Sequence, residues 1–329
     1  MKRRDCLLGL ASTPLWTTPG AAQSYPERPV TLVSGYPPGG STDVAARLVG
    51  DGMARQIAGA RIIIENRPGA SGTIACEWLK RQPADGYTML MSESSSFAIW
   101  PAMHAEGMKY DPLKDFDYVS TTCVSPLVFI VSPEFPAKTL AEALDVLRSP
   151  RSAELNYSSS GAGSIPHIGA ELLRQVLGTN QSRHVPYRGG APGVLSVSKN
   201  ETAWGLATAG SAAGLIQGGS VRALALTSAQ RFAGFPDVPT FVESGLPEVE
   251  VPVYYLIHAP AGLPSAILKR LNEASATALG DTSLRERYLN AGMQAWDGPN
   301  TPETTRALVE QELKRFREIS VKTGIKITG

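Results

Sequence analysis

Residues 30–53 read VTLVSGYPPGGSTDVAARLVGDGM, and this stretch contains a complete strand-to-helix unit. The apolar run 30–34 predicts a buried strand, and the glycines and prolines of 35–40 predict a tight turn. Residues 41–53 then predict a helix with one apolar face, which carries Val44, Leu48 and Met53. A strand that leads directly into a helix is the repeating unit of an α/β fold.

The same alternation continues along the chain. A second strand over 61–65, a helix over 71–80 and a third strand over 87–91 complete a β-α-β-α-β opening, which is typical of a parallel sheet with helices on both faces. A second series begins near Leu127, with predicted strands at 127–131, 155–158, 182–187, 202–206, 221–227 and 249–259. Helices are predicted at 265–279, 282–291 and 302–321. With 329 residues the chain is long enough for two such α/β lobes.

The N-terminus has the layout of an export signal. Three basic residues at 2–4 precede an apolar run over 6–16 and small residues at 20–22. That run is shorter than the ~20 residues that span a bilayer. The sequence therefore predicts a signal peptide over 1–22, removed after Ala22, and a periplasmic mature chain; general secretion and twin-arginine export both stay open.

Composition and motifs exclude several functions. Lys and Arg number 31 against 30 Asp and Glu, so no basic excess favours nucleic-acid binding. No P-loop, G-x-S-x-G elbow or zinc-ligand spacing is present, so we expect no cofactor, no metal and no catalytic residues. A Ser/His/Asp triad assembled from distant residues stays open. For Cys76 and Cys123, buried free thiols are favoured over a disulfide pair.

Small residues recur where predicted strands lead into helices. The four junctions are 39–42 (GGST), 69–72 (GASG), 94–96 (SSS) and 161–164 (GAGS). Each combines free backbone N–H groups and short side chains with the positive end of a helix, which suits a carboxylate without any lysine or arginine. At any single junction, ordinary helix capping explains the residues equally well. Four together in an exported, two-lobed chain favour a binding cleft.

Ordered motifs along nearly the whole chain resemble one family. They include 25–30 (YPERPV), 36–43 (YPPGGSTD), 65–72 (ENRPGASG), 83–88 (PADGYT), 184–189 (HVPYRG), 236–240 (PDVPT) and 259–264 (APAGLP). In these the chain is similar to the Bug-type extracytoplasmic receptors of tripartite tricarboxylate transporters. The resemblance implies a periplasmic-binding-protein fold, in which two α/β lobes with mainly parallel sheets are joined by crossing strands and hold the ligand between them.

The resemblance also implies a division of the chain and a ligand. The first lobe would combine 23–125 with 232–329, and the second would be 126–231. The ligand would be a small carboxylate, held largely by backbone N–H groups. Together with the small-residue junctions, the matched motifs give the predicted binding residues: Tyr36, Gly39, Gly40, Ser41, Thr42, Asp43, Ser94, Ser95, Ser96, Ser160, Gly161, Ala162, Gly163, Ser164, His167 and Thr208.

Two departures from the family pattern bear on the ligand. Ala207 and Thr208 stand where the family commonly has an Asp-Asn-like pair, so the usual acidic group for a ligand amine is missing and we expect a ligand that needs no ammonium group. Glu93 is an unusual charge near the predicted cleft; it either repels a second carboxylate or faces solvent.

The favoured function is therefore a monomeric periplasmic receptor that presents a small carboxylate to membrane transporter subunits. Two alternatives stay open. One is an orphan ligand sensor on the same fold, and the other is a secreted hydrolase-like enzyme that would depend on a serine such as Ser164 near His167.

Overall fold

The structure, a computed structural model, describes residues 25–104, 107–178, 181–325 and 327. The predicted signal peptide, residues 1–22, lies outside the described residues. In the described part of the chain, no helix has both the length and the hydropathy needed to cross a membrane. Cys76 and Cys123 are buried and free.

The strands, in chain order, are β1 (Val30–Ser34), β2 (Ile62–Asn66), β3 (Thr88–Glu93), β4 (Phe116–Val131), β5 (Asn156–Ser159), β6 (Arg183–Pro186), β7 (Trp204–Thr208), β8 (Arg222–Leu226), β9 (Pro252–Pro260) and β10 (Gln294–Ala295). The helices are α1 (Ser41–Gln56), α2 (Thr73–Leu79), α3 (Trp100–Met103), α4 (Leu140–Arg148), α5 (Ile165–Leu177), α6 (Gly190–Ser198), α7 (Ala209–Gln217), α8 (Ser265–Leu279), α9 (Thr282–Asn290) and α10 (Pro302–Thr323). Most predicted elements are confirmed with ends that differ by a few residues.

The strands form two sheets that share β4. The first has the order β2-β1-β3-β9-β4, and the second continues from β4 through β7 and β5 to β6. Strands β2-β1-β3 and β7-β5-β6 are parallel, as the sequence predicted, whereas β9 and β4 run antiparallel to their neighbours. Each sheet with its helices forms one lobe, so the predicted α/β fold class is confirmed.

Strand β4 is much longer than its predicted stretch, 127–131. Its first part pairs with β9 and β10, and its second part pairs with β7 and β8. The polar residues Ser120, Thr121 and Thr122 obscured the first part, yet all three are buried. They are tolerated because their hydroxyls hydrogen-bond within the fold, as Thr122 does to the carbonyl oxygen of Tyr255 at 3.0 Å.

Two chain segments cross between the lobes, one at Leu127 and the other at Val251. Thr227, just after β8, is hydrogen-bonded to both. Its Oγ1 accepts the N–H of Leu127 at 2.9 Å and donates to the carbonyl of Val251 at 2.9 Å. Its backbone N–H donates to the Leu127 carbonyl, and its carbonyl accepts from the Val251 N–H. Thr227 is 1% exposed, so water does not replace these bonds. One threonine therefore fixes the spacing of the crossing.

Replacing Thr227 with Val should lower the free energy of unfolding by about 1–3 kcal/mol, because the Leu127 N–H and the Val251 carbonyl each lose a buried partner. Urea unfolding followed by circular dichroism measures the change. The same replacement at exposed Thr282, on α9, should stay within about 0.5 kcal/mol of wild type. Equal unfolding midpoints for the two variants would show that Thr227 does not hold the crossing.

Candidate ligand-binding site

A small cavity lies between the two lobes. The first lobe lines it with Tyr36, Gly40, Ser41, Thr42, Glu93 and Tyr255. The second lobe lines it with Ser160, Ile165, Pro166, Gly190, Thr208 and Ser211. The centre of a water molecule has only about 20 Å³ in which to move there, which is room for about one water. The lobes are therefore closed on each other, and a larger ligand enters only when they separate.

Four helices begin at this cavity. The first turn of α1 contributes Ser41 and Thr42, that of α5 contributes Ile165 and Pro166, α6 begins at Gly190, and α7 follows directly on Thr208. The first-turn N–H groups of a helix have no acceptor within the helix, and its dipole makes this end positive. The four helix dipoles place positive partial charge around the cavity without lysine or arginine in the lining. At α5 only the dipole contributes, because the N–H of Ile165 donates to Ser95 Oγ, that of His167 donates to Ser164 Oγ, and Pro166 has no N–H.

Hydroxyl groups join the lobes at the cavity. Ser41 Oγ, at the start of α1, lies 2.5 Å from Thr208 Oγ1 and 3.0 Å from Ser211 Oγ. Thr208 in turn donates to Ser211 at 2.9 Å. Ser41 belongs to the first lobe, whereas Thr208 and Ser211 belong to the second, and all three side chains are uncharged. Their contacts can therefore break and re-form at small cost when the cleft opens.

Asp43 holds the start of α1 but does not line the cavity. Its carboxylate accepts two hydrogen bonds from Arg47, at 2.9 and 3.0 Å, one from Asn66 at 2.9 Å and one from the N–H of Gly39 at 3.0 Å. Burial alone would raise the pKa of Asp43, but these hydrogen bonds outweigh it and lower the pKa below its usual value. Asp43 and Gly39 thus fix the turn that presents Ser41 to the cleft.

The serines at 94–96 lie behind the lining. Ser94 Oγ accepts the N–H of Tyr254 at 3.0 Å, and Ser96 Oγ donates to the carbonyl of Glu93 at 3.2 Å. Ser95 Oγ accepts the N–H of Ile165, at the first turn of α5, at 2.8 Å. This last bond crosses between the lobes, so Ser95 contributes to closure.

The loop 160–164 faces the first lobe. Ser160 lines the cavity, and the carbonyl of Ala162 accepts a hydrogen bond from Ser71 Oγ at 3.0 Å. Gly163 has a φ of +68°, and a Cβ there would lie 2.7 Å from the indole nitrogen of Trp100, so the close approach of the lobes requires glycine. Gly161, with φ of +134°, is the other left-handed residue of this loop.

Ser164 and His167 support this loop from within the second lobe. Ser164 Oγ caps α5 by accepting the backbone N–H of His167, and the N–H of Gly163 donates to His167 Nδ1 at 3.1 Å. The imidazole stacks on that of His184 at 4.1 Å. Burial lowers the pKa of His167, which keeps the ring neutral and Nδ1 able to accept.

Glu93 is buried against the cavity, so the solvent-facing interpretation is wrong. It is 3% exposed, the Tyr36 hydroxyl donates to its Oε1, and the N–H of Ser95 donates to its Oε2 at 2.9 Å. Burial raises its pKa above the usual value, against the effect of these hydrogen bonds. The cavity therefore contains a charged side chain that the predicted binding set omitted.

Tyr255 on β9 is a further lining residue outside the predicted set. It is fully buried, and its hydroxyl makes no hydrogen bond with a described residue. The neighbouring hydroxyls of Ser41 and Thr208 are bound to each other and to Ser211 instead. A buried hydroxyl without a protein partner at the wall of a cavity can donate to a water or a ligand in that cavity.

The structure thus brings together six of the predicted residues in the lining: Tyr36, Gly40, Ser41, Thr42, Ser160 and Thr208. The other ten lie next to it and support it: Gly39, Asp43, Ser94, Ser95, Ser96, Gly161, Ala162, Gly163, Ser164 and His167. The predicted set lacked the other six lining residues: Glu93, Ile165, Pro166, Gly190, Ser211 and Tyr255. The start of α6 at Gly190, after a predicted strand, was a usable signal, whereas Tyr255 lies inside a strand and gave none.

Comparisons with known proteins agree with this architecture. Residues 45–325 match the model of the family described as Tripartite tricarboxylate transporter family receptor. The chain is 32% identical to a UPF0065 protein of Bordetella pertussis, over 93% of this chain and 92% of that one. It is 31% identical to Protein BugT of the same organism, over 94% and 93%.

Several solved structures are similar to this chain over nearly its whole length. The periplasmic binding protein BugD has a TM-score of 0.86 at 28% identity, covering 92% of this chain and 99% of that chain. R. palustris Rpa4515 with adipate has a TM-score of 0.86 at 30% identity, with the same coverage. MatC from Rhodopseudomonas palustris with bound malate has a TM-score of 0.84 at 29% identity, covering 90% and 99%.

Replacing Asp43 with Asn should lower the free energy of unfolding at pH 7 by about 1–3 kcal/mol, because the buried group loses its charge-assisted bonds to Arg47. Since the pKa of Asp43 is lowered in the folded protein, this contribution is present above pH ~4 and is lost as the pH falls through the lowered pKa. The difference between variant and wild type should therefore shrink at pH 3, which urea unfolding at both pH values measures.

Asp51 provides the matched control on the same helix. Its side chain is exposed and lies 3.7 Å from Arg287, so Asp51→Asn should change the free energy of unfolding by no more than about 0.5 kcal/mol. Equal losses in the two variants would contradict the role given to Asp43.

Proposed function

Because the chain belongs to the tripartite tricarboxylate transporter receptor family, we propose that it captures a small carboxylate in the cleft between its lobes and delivers it to membrane transporter subunits. The observation that carries this proposal is the convergence of four helix N-termini on one cavity. Such ends attract carboxylates through the helix dipole. Backbone N–H groups for the ligand would come from α1, α6 and α7, because those of the first turn of α5 already donate to Ser95 and Ser164. Adipate in Rpa4515 and malate in MatC support a carboxylate as the class of ligand.

The binding residues of this proposal are the lining side chains, with Tyr255 and Ser211 added to the predicted set. Asp43, Ser95 and the loop 160–164 are proposed to position the lining rather than to bind. The free protein is proposed to be a periplasmic monomer. Its first lobe would contain 23–125 and 232–329, and its second 126–231. Two observations support extending the second lobe to about residue 251: Phe232 and Phe235 share a buried cluster with Val128, and the N–H of Val251 donates to the carbonyl of Thr227.

The contacts of Ser164 argue against the hydrolase alternative that depends on this serine. Its hydroxyl caps α5 by accepting a backbone N–H, and the Nδ1 of His167 accepts from Gly163. The imidazole therefore does not act as a base toward this serine in the observed arrangement. Serine activation requires a hydrogen bond between the nucleophile and its base.

A thermal-shift screen of the purified protein tests the proposal. A ligand at about 100 times its dissociation constant adds roughly 2.7 kcal/mol of stability, which is a readily measured increase in Tm. We expect shifts confined to a few members of a panel of mono-, di- and tricarboxylates and aromatic acids, with none for uncharged sugars. Shifts with sugars and none with any acid would overturn the carboxylate assignment.

Replacing Tyr255 with Phe should weaken binding of the identified acid by about 10–100-fold, because the unpartnered hydroxyl is a donor toward the ligand. The free energy of unfolding without ligand should stay equal or rise, since a buried hydroxyl without a partner is removed. Calorimetric titration and urea unfolding measure the two effects separately.

Tyr118 provides the opposite control. It is buried, and its hydroxyl donates to the carbonyl of Pro112 at 2.8 Å. Tyr118→Phe should cost about 0.5–1.5 kcal/mol of stability and leave the affinity unchanged. If Tyr118→Phe weakened binding and Tyr255→Phe left the affinity unchanged, Tyr255 would not belong to the binding site.

A further inference from the structure

Glu93 is the one acidic side chain that lines the cavity among the described residues. It ends β3 and is held rigidly, because the Tyr36 hydroxyl donates to Oε1 and the backbone N–H of Ser95 donates to Oε2 at 2.9 Å. Two protein donors occupy only part of its acceptor capacity, since an ionised carboxylate offers about four acceptor sites. Glu93 therefore retains acceptor capacity at the cavity.

No cation in the described part of the chain compensates Glu93. Within the described ranges it forms no ion pair with Lys, Arg or His. The ionisable groups that face it are Tyr36, Tyr255 and Cys76, and burial raises the pKa of each, so none carries a charge at neutral pH. A buried carboxylate without a counter-charge is unfavourable, and a donor brought by the ligand relieves that cost.

The rest of the lining has the opposite character. The N-termini of α1, α6 and α7 offer N–H groups, and the hydroxyl of Tyr255 lies beside those of Ser41 and Thr208. These groups donate to a ligand carboxylate, whereas an ionised Glu93 only accepts. The cavity therefore has donors around one part of its surface and a single strong acceptor at another.

We propose that Glu93 selects ligands that carry a hydrogen-bond donor, either a hydroxyl or an ammonium group, close to the captured carboxylate. This inference rests on the proposed function, because it assumes that the helix N-termini hold the acid. The expectation of a ligand that needs no ammonium group rested on the missing Asp-Asn-like pair at Ala207 and Thr208 in the second lobe. Glu93 provides an acid from the first lobe instead.

Matched ligand triplets test the proposal with the wild-type protein. Each triplet differs only in the substituent on the carbon next to one carboxylate: hydrogen, hydroxyl or ammonium. Suitable sets are propionate, lactate and alanine; succinate, malate and aspartate; and glutarate, 2-hydroxyglutarate and glutamate. Calorimetric titration at pH 7.5 should show at least tenfold tighter binding of a hydroxyl or ammonium member than of the unsubstituted acid in the triplet that fits.

Glu93→Gln is the informative variant, because the amide keeps one acceptor oxygen and removes the charge. We expect the affinity for an ammonium ligand to fall at least tenfold, that for a hydroxyl ligand to fall about threefold, and that for the unsubstituted acid to stay equal or rise. Glu312→Gln is the matched control, since Glu312 is also buried but lies outside the lining. It should leave every affinity unchanged.

The outcomes separate the two proposals. Equal affinities within a triplet that binds, or a preference that survives in Glu93→Gln, would overturn the role of Glu93 and leave the carboxylate receptor standing. Tighter binding of the unsubstituted acid with proton uptake would also overturn it, because Glu93 would then act as a protonated donor. Failure of every acid in every triplet and in the thermal-shift panel would overturn the proposed function, and this inference with it.

Discussion

The architecture depends on β4, a single buried strand that is hydrogen-bonded on both edges in two sheets. Because each half of it pairs with a different set of strands, the two lobes cannot separate as independent bodies. The backbone passes between the lobes where Leu127, Thr227 and Val251 are joined, so a rotation of one lobe against the other would act at this crossing. Alternate residues beyond this point pack into separate cores, with Phe129 on one side and Ile130 on the other. Motion is therefore confined to a hinge, which is what a closing cleft requires.

The cleft itself follows from the direction of the strands. In each lobe the parallel strands end at the same edge, and the helix that follows each strand begins there. Strand β1 leads through a turn to α1 in the first lobe, and β5 and β7 lead to α5 and α7 in the second. When the hinge closes, these helix starts meet around one cavity. The positive site is thus a consequence of two α/β sheets facing each other, and lysine and arginine are not needed.

Local signals explain how much could be predicted from the sequence. The start of α1 at Ser41 and the bounds of α8 were predicted correctly, because caps, turns and apolar periodicity are encoded within a few residues. The first half of β4 was missed because its serines and threonines are satisfied by partners far away in sequence, such as Asn300 for the backbone of Thr121. The positions of Glu93 and Tyr255 at the cavity could not be predicted from the sequence either. Strand register and the closure of the lobes decide which strand residues face the cavity.

Closure of the lobes uses weak contacts, and this determines how a ligand controls it. The contacts across the cleft are hydroxyl and backbone hydrogen bonds at Ser41, Ser71 and Ser95. Each contributes about 0.5–1.5 kcal/mol net, because water replaces it in the open form. A ligand shifts such an equilibrium only by its differential affinity for the two forms. A carboxylate that touches helix N-termini from both lobes binds the closed form better than the open one, so its binding stabilises closure.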